Sequence, residues 1–338
     1  MQTNKLFKSN KKKSWQTDKI NFNFIDLFAG IGGFRIALES YGGSCIFSSE
    51  WDIKSQDIYY ENFGELPKGD ITKISENDIP KHNVLCAGFP CQAFSISGKR
   101  KGFEDTRGTL FFDVARIVKK TKPEVLFLEN VKNFAKHDNG KTLKIVKATL
   151  EELGYTYYSK ILRSSDYGVP QARERIYIVG FRDDLKVKNF NFPEPVNNIV
   201  VVDNILERNK LLNHTYIERP DIIITKSNHL PKDPRKPLQI GRINKGGQGE
   251  RIYSTQAAGI TLSAHGGGVA SKTGAYLING KIRKLTPREC ARMQGFPEDY
   301  EISGNKNISY KQFGDSVSVP VLQLIFKHIL EAYPDLKK

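Results

Sequence analysis

The stretch from Phe22 to Gly33 does most to limit what this chain can become. A strand-forming run from Phe22 to Phe28 enters Ala29-Gly30-Ile31-Gly32-Gly33, and Phe34 to Tyr41 then reads as a helix. A glycine turn between a strand and a helix opens an α/β layer, because the helix must fold back over the strand before it. The pattern continues, with strands expected at Ser44 to Ser49, Val84 to Ala87, Glu124 to Leu128 and Ile176 to Val179. Leu110, Val114, Ile117 and Val118 mark one intervening helix, and Leu143, Val146, Leu150 and Leu153 another. Residues 21–203 therefore read as a doubly wound, Rossmann-like parallel sheet.

The texture changes after Phe192-Pro193-Glu194-Pro195. Residues 241–280 hold ten of the chain's 28 glycines and only short strand runs, such as Arg251 to Ser254 and Ala275 to Ile278. A second, smaller, loop-rich β domain is expected over 204–286. Thr286-Pro287-Arg288-Glu289 supplies an N-cap, a first-turn proline and a reciprocal glutamate, so a helix should start there. Residues 287–338 read as a hinge and a closing helix, Val317 to Tyr333, that returns to the first domain.

Charge narrows the partner. Of a net +15, residues 1–20 carry +5 and residues 222–284 carry +9, so two basic segments sit on a near-neutral body. Lys and Arg neutralising phosphates supply the main non-specific term in nucleic-acid binding, which makes a polyanion the natural partner. The first 20 residues read as a solvated basic tail, and deleting residues 1–18 should chiefly lower the salt dependence of binding. Cysteines 45, 86, 91 and 290 form no C-x-x-C and the six histidines no H-x-x-x-H, so neither a disulfide framework nor a metal site is expected. No apolar run approaches the roughly 18 to 20 residues of a membrane span. A soluble protein of a reducing compartment is the expectation.

Three strand ends carry the chemistry. Gly30-x-Gly32-Gly33, with Glu50 twenty residues after Gly30, fits a nucleoside site in which glycines admit the ligand and the carboxylate accepts from ribose hydroxyls. Arg35 stands where a dinucleotide fingerprint wants its third glycine, which favours a cofactor with ribose but no pyrophosphate, such as S-adenosylmethionine. Gly88-Phe89-Pro90-Cys91-Gln92 follows a buried-looking strand and offers a thiol at the sheet's carboxyl edge, as a nucleophile or as an inert small hydrophobe. Glu129-Asn130-Val131 ends another strand at the same edge.

With Asp26-Leu-Phe-Ala-Gly, Gln171-Ala-Arg-Glu-Arg and Arg288-Glu-Cys-Ala-Arg, these segments occur in the order and spacing of the DNA cytosine-5 methyltransferases, which the chain resembles from about Phe24 to Phe326. It looks most like the bacterial modification enzymes that recognise GCGC, since the likeness extends into Lys245-Gly-Gly-Gln-Gly-Glu-Arg-Ile-Tyr-Ser-Thr255. The resemblance implies that Cys91 adds to carbon 6 of cytosine, that Glu129 protonates ring nitrogen 3, and that Arg175 grips the base carbonyl. It implies S-adenosylmethionine at Phe28, Gly30, Gly33, Glu50, Trp51, Asp70, Ile71, Pro90 and Ser316. Duplex DNA would meet Ser97, Gln248, Arg251, Tyr253 and Thr261, with Gln248 and Ser97 filling the gap left by a flipped base.

Where the family has Asn, this chain has Asp315, and Arg242 and His265 vary the recognition segment. The resemblance further implies a monomeric prokaryotic enzyme of the cytoplasm, the protective half of a restriction-modification system whose endonuclease forms no stable complex with it. Two rival readings keep the fold: an RNA cytosine-5 methyltransferase, and a weakened homologue that only occupies DNA.

Overall fold

The computed structural model describes residues 12–90, 110–208, 215–225 and 230–337. Cys91 and Ser97, the whole stretch from Ser95 to Gly108, and residues 1–11 lie outside the described residues.

The main sheet contains β1 (Phe22–Leu27), β2 (Gly43–Ser49), β3 (Val84–Gly88), β4 (Val125–Val131), β5 (Tyr155–Arg163) and β6 (Glu174–Arg182), in the order β2-β1-β3-β4-β6-β5. Along β1 the side chains alternate. Phe22 and Phe24 face one core with α1 (Gly33–Glu39) and α7 (Val319–Ala332), while Ile25 and Leu27 face another with α3 (Leu110–Thr121) and α4 (Lys141–Glu152). Phe326 of α7 closes the first core, its ring 5.2 Å from Phe22. The expected closing helix thus does return to the sheet.

The all-parallel expectation is corrected at one strand. β1 to β4 run parallel, but β6 is antiparallel to both β4 and β5. Only residues 164–173 join β5 to β6, too little chain for the crossover of a dozen or more residues that a parallel pair needs. The reversal matters to the site, because it turns the start of β6, not its end, toward the carboxyl edge of β4.

A second sheet, β7 (Ile222–Ile224), β8 (Gln239–Ile243), β9 (Arg251–Ser254), β10 (Ala275–Ile278) and β11 (Lys281–Lys284), closes over Ile240, Ile243, Ile252, Ala275 and Ile282. It is stitched to the main domain through main chain. The Ala172 N–H donates to the Gly259 carbonyl at 2.9 Å, and the Gly259 N–H donates to Pro170 at 2.8 Å.

Between the sheets lies α5 (Pro287–Met293), whose capping box forms as expected. Thr286 Oγ1 accepts from the Glu289 N–H, and the Glu289 carboxylate accepts from the Thr286 N–H. That carboxylate also takes both Nη groups of buried Arg283 at 2.7 Å and the Glu207 N–H at 2.8 Å. Removing one partner of a buried pair strands the other charge. Glu289→Ala should therefore cost about 3 to 5 kcal/mol, read as a lower urea midpoint, and a shift below about 1 kcal/mol would show that Arg283 is solvated without it.

The basic tail is corrected as well. Trp15 is 5% exposed and belongs to the core, so residues 12–16 are a docked segment of the domain rather than a solvated one.

Candidate active site

The glycine turn divides its labour. Gly30 has nothing within 4 Å of where a Cβ would stand and borders the cleft. Gly32 adopts φ 81°, and a Cβ there would lie 2.3 Å from the Phe63 ring. A Cβ on Gly33 would strike Val317 at 2.4 Å, so this glycine serves packing as well as ligand access. Phe28, before the turn, also sits in the left-handed region at φ 57°.

Glu50 leaves the end of β2 and binds the turn. One carboxylate oxygen accepts the Gly30 N–H at 2.8 Å, and the other accepts the Asp52 N–H at 2.7 Å. Burial pushes the Glu50 carboxyl above its ordinary range, opposed by the Asp52 and Gly30 N–H bonds. Trp51 is 76% exposed and presents its ring to solvent. Asp70 caps a short 3-10 turn, its Oδ1 accepting from the Thr72 N–H and hydroxyl. The Ile71 side chain is core, so a ligand could meet this residue only through its backbone.

Phe28, Gly30, Gly33, Gly88, Glu129, Asp315 and Ser316 line one cleft at the carboxyl edge of the sheet. Gly88 of β3 pairs in register with Glu129 of β4, and Val131 pairs with Arg175 of reversed β6. Glu129 Oε2 lies 3.9 Å from a Cβ position on Gly88, and Arg175 Nε stands 3.2 Å from Glu129 Oε1. That approach lacks the alignment of a hydrogen bond, so the buried Oε1 has no hydrogen-bond partner. Burial raises the Glu129 carboxyl, opposed by Arg175 and, second, Arg173. A carboxyl so placed can hold a proton and deliver it into the cleft.

Three neighbouring groups have roles that the pattern did not announce. Asn130 Nδ2 donates to the Phe89 carbonyl at 2.8 Å, fastening the approach to Pro90 onto the strand of Glu129. Arg173 is buried and donates to the carbonyls of Gly314 and Ser316, tying β6 to the end of α6 (Lys306–Asp315). Its signal was present, since it stands within Gln171-Ala-Arg-Glu-Arg. Lys311 Nζ bridges Asp52 at 2.8 Å and Asp315 at 3.5 Å. The Asp315 carboxylate thus answers to Lys311, and the charges acting on Glu129 are arginines.

On the second sheet Gln248 and Arg251 are exposed. Their loop rests on the next glycine-rich loop: a Cβ on Gly249 would lie 1.9 Å from the Gly267 carbonyl oxygen, and the Ala270 N–H donates to the Gly249 carbonyl at 2.9 Å. These glycines are needed for contact between loops, not for slack. Two residues expected to meet DNA also have partners within the protein. Tyr253 is buried, its ring 6.1 Å from that of Tyr276, so it stiffens β9 from within. The Thr261 hydroxyl donates to the Ala172 carbonyl at 3.1 Å and serves the seam between the domains. Among the described residues no group of three or more His, Cys, Asp or Glu could hold a metal ion, and no helix is long and apolar enough to cross a membrane.

A mixed sheet with one reversed strand, a glycine-lined cleft at its carboxyl edge and an appended recognition sheet define an α/β methyltransferase. The chain belongs to the C-5 cytosine-specific DNA methylase family, whose model matches residues 22–331. It is 56% identical over 306 residues to the Type II methyltransferase M.HhaI of Haemophilus parahaemolyticus, covering 90% of this chain and 93% of that one. It is 46% identical over 333 residues to the Type II methyltransferase M.HpaII of Haemophilus parainfluenzae, covering 93% and 91%. The solved structure of Schizosaccharomyces pombe (S. pombe) Dnmt2 methyltransferase matches with a TM-score of 0.70 at 20% identity, over 92% of this chain and 98% of that one, which speaks to the fold alone. The chain is a DNA (cytosine-5-)-methyltransferase.

Proposed function

We propose that the enzyme methylates carbon 5 of a cytosine extruded from a short duplex DNA site, GCGC, through a covalent adduct with Cys91, as the protective half of a restriction-modification system. S-Adenosylmethionine supplies the electrophilic methyl on its sulfonium. Residues in and beside the cleft fit that molecule: Glu50, held by two N–H donors, has lone pairs left for ribose hydroxyls, and exposed Trp51 and half-buried Phe28 offer aromatic faces to adenine. Asp70 would accept from the adenine amino group.

The observation that carries the reading is Glu129, a buried carboxyl with an unpaired oxygen beside Arg175, on the strand adjoining the one that leads to Cys91. Carbon 5 of cytosine is a poor nucleophile. Addition of the Cys91 thiolate to carbon 6 pushes a ring electron pair toward nitrogen 3, where Glu129 delivers its proton. Carbon 5, now part of an enamine, takes the methyl, and the sulfonium carbon–sulfur bond breaks with its electron pair left on sulfur, giving S-adenosylhomocysteine. Loss of the carbon 5 proton then restores the double bond and expels the thiolate, and nitrogen 3 returns its proton to Glu129. Arg175 holds the base carbonyl and keeps Glu129 aimed.

The target atom is inaccessible inside a duplex, so the base must leave the stack. Gln248 and Ser97 would fill the gap, and Arg251 would read guanine in the major groove. Arg251→Ala should then cost about 1 to 3 kcal/mol on the cognate site and relax one base position. A loss of equal size on every sequence would make Arg251 a phosphate contact. Bisulfite sequencing of DNA from cells expressing the protein tests the base, the site and the activity together. Methylation outside GCGC would overturn the site, and methylation of tRNA with none on duplex DNA in a tritium-transfer assay would favour an RNA enzyme.

A further inference from the structure

The docked N-terminal segment touches the back of the glycine turn through two aromatic rings. Trp15 packs against Phe63 at 5.9 Å and Tyr300 at 6.1 Å. Phe63 is the ring that occupies the space a Cβ on Gly32 would need, and the Tyr300 hydroxyl donates to the Ile31 carbonyl at 2.6 Å. Each ring that Trp15 supports therefore bears directly on the turn.

The segment is tied down at both ends of the indole. Trp15 Nε1 and Gln16 Nε2 donate to the same oxygen of Glu39 at 3.1 Å, while the other oxygen takes Arg35 Nε at 2.6 Å. The Ser14 N–H and hydroxyl donate to the Asp299 carboxylate at 2.8 and 2.7 Å, and Lys13 Nζ donates to the Asp299 carbonyl at 2.8 Å. Lys13 to Gln16 lie upstream of residues 22–331, the stretch that the family model matches, whereas their partners Glu39 and Asp299 lie within it.

We infer that Trp15 is a positioning residue for the cofactor turn: docked between Phe63 and Tyr300, it holds Ile31 and Gly32 in the conformation that receives S-adenosylmethionine. The inference rests on the reading of Gly30 to Gly33 as the cofactor turn. Coupling between two sites is reciprocal, so if docking tightens the cofactor, the cofactor must tighten docking by the same factor.

The test uses the full chain. In Trp15→Ala the KM for S-adenosylmethionine and the Kd for S-adenosylhomocysteine should rise about tenfold, while kcat at saturating cofactor and the Kd for duplex DNA stay within about twofold. Trp15→Phe, which keeps a ring between Phe63 and Tyr300, should restore most of the affinity. In the wild-type protein, S-adenosylhomocysteine should slow hydrogen exchange at the Ser14 to Gln16 amides, a measurement that decides the matter even if Trp15→Ala fails to fold. A variant that melts earlier yet binds S-adenosylhomocysteine normally, or exchange that ignores the ligand, would overturn the inference and leave Trp15 a stabilising residue only. Glu50→Ala is the control for the turn itself. Normal S-adenosylhomocysteine binding there would refute the cofactor reading rather than the role of Trp15.

Discussion

Cys91→Ala is expected to abolish methyl transfer, by about 10⁴ or more in single-turnover rate, while binding of duplex DNA and of S-adenosylhomocysteine survives. In the proposed mechanism only the covalent step needs sulfur, and recognition and cofactor binding use other side chains. The remaining cysteines cannot substitute. Cys45, Cys86 and Cys290 are buried, and burial pushes all three thiols well above the ordinary range, that of Cys45 to about 12, so none supplies a thiolate near neutrality. A duplex carrying 5-fluorocytosine gives the complementary result. Fluorine at carbon 5 does not leave as a proton does, so the wild-type protein should remain attached to that DNA through denaturing electrophoresis, and Cys91→Ala should not. Turnover by the variant, or no trapping of the wild type, would remove Cys91 from the mechanism.

Glu129→Gln should slow single-turnover methylation by about 10² to 10⁴, the range for removing a general acid. The pH dependence follows from the direction of its shift. Burial raises this carboxyl above its ordinary value despite Arg175 and Arg173, and the acid works in its protonated form. The wild-type rate should therefore fall as pH rises through that raised value, and the amide, which does not titrate there, should lose this limb. Linkage gives an opposite sign for stability. A carboxyl whose pKa is raised on folding penalises the folded state once pH exceeds the unfolded value, and the penalty grows until the folded pKa is passed. Glu129→Gln removes that penalty, so at neutral pH its Tm should equal or exceed the wild type's. A slower enzyme that is also less stable would indicate a damaged cleft, and an unchanged rate would argue against Glu129 as the acid.

The parts of this fold that could be read in advance are those where local chemistry and tertiary context agree. The turn after β1 needed glycines both for φ and for Phe63, the Thr286 box closed as written, and β3 and β4 are short buried runs that pair side by side. What escaped depended on distant partners. β5 begins Tyr155-Thr-Tyr-Tyr-Ser-Lys and lies at the sheet edge, where solvent tolerates polar residues, so its apolar signal is weak. The reversal of β6 is a property of the link before it, not of its residues. α6 is polar over most of its length and is fixed by bonds such as Gln312 Nε2 to the Lys54 carbonyl. Trp15 sits in a lysine-rich stretch whose charge outweighs one aromatic residue in any composition argument. Phe28, Gly30, Gly33, Glu129 and Ser316 come together as the lining of one cleft. The packing of Tyr253 against Tyr276 and the bond from the Thr261 hydroxyl to the Ala172 carbonyl depend on residues distant in sequence, so neither was legible in the residue types.

The seam at Pro170, Ala172 and Gly259 has a consequence for how target choice could diversify. Its bonds run between backbone groups, reinforced by Gln171, whose Oε1 accepts from the Leu262 N–H and whose Nε2 donates to the Met293 carbonyl. Main-chain pairing asks little of the residues that provide it, so the loops proposed to read DNA can be rewritten residue by residue without renegotiating their attachment to the main sheet. A hybrid that keeps residues 169–173, 257–262 and the Glu289 cap, and exchanges only the loop of Gln248 and Arg251 with the glycine loop it rests on, inherits a finished hinge. Specificity in such a molecule becomes an interchangeable part, and the two loops, which touch at Gly249 and Gly267, are its smallest unit of exchange.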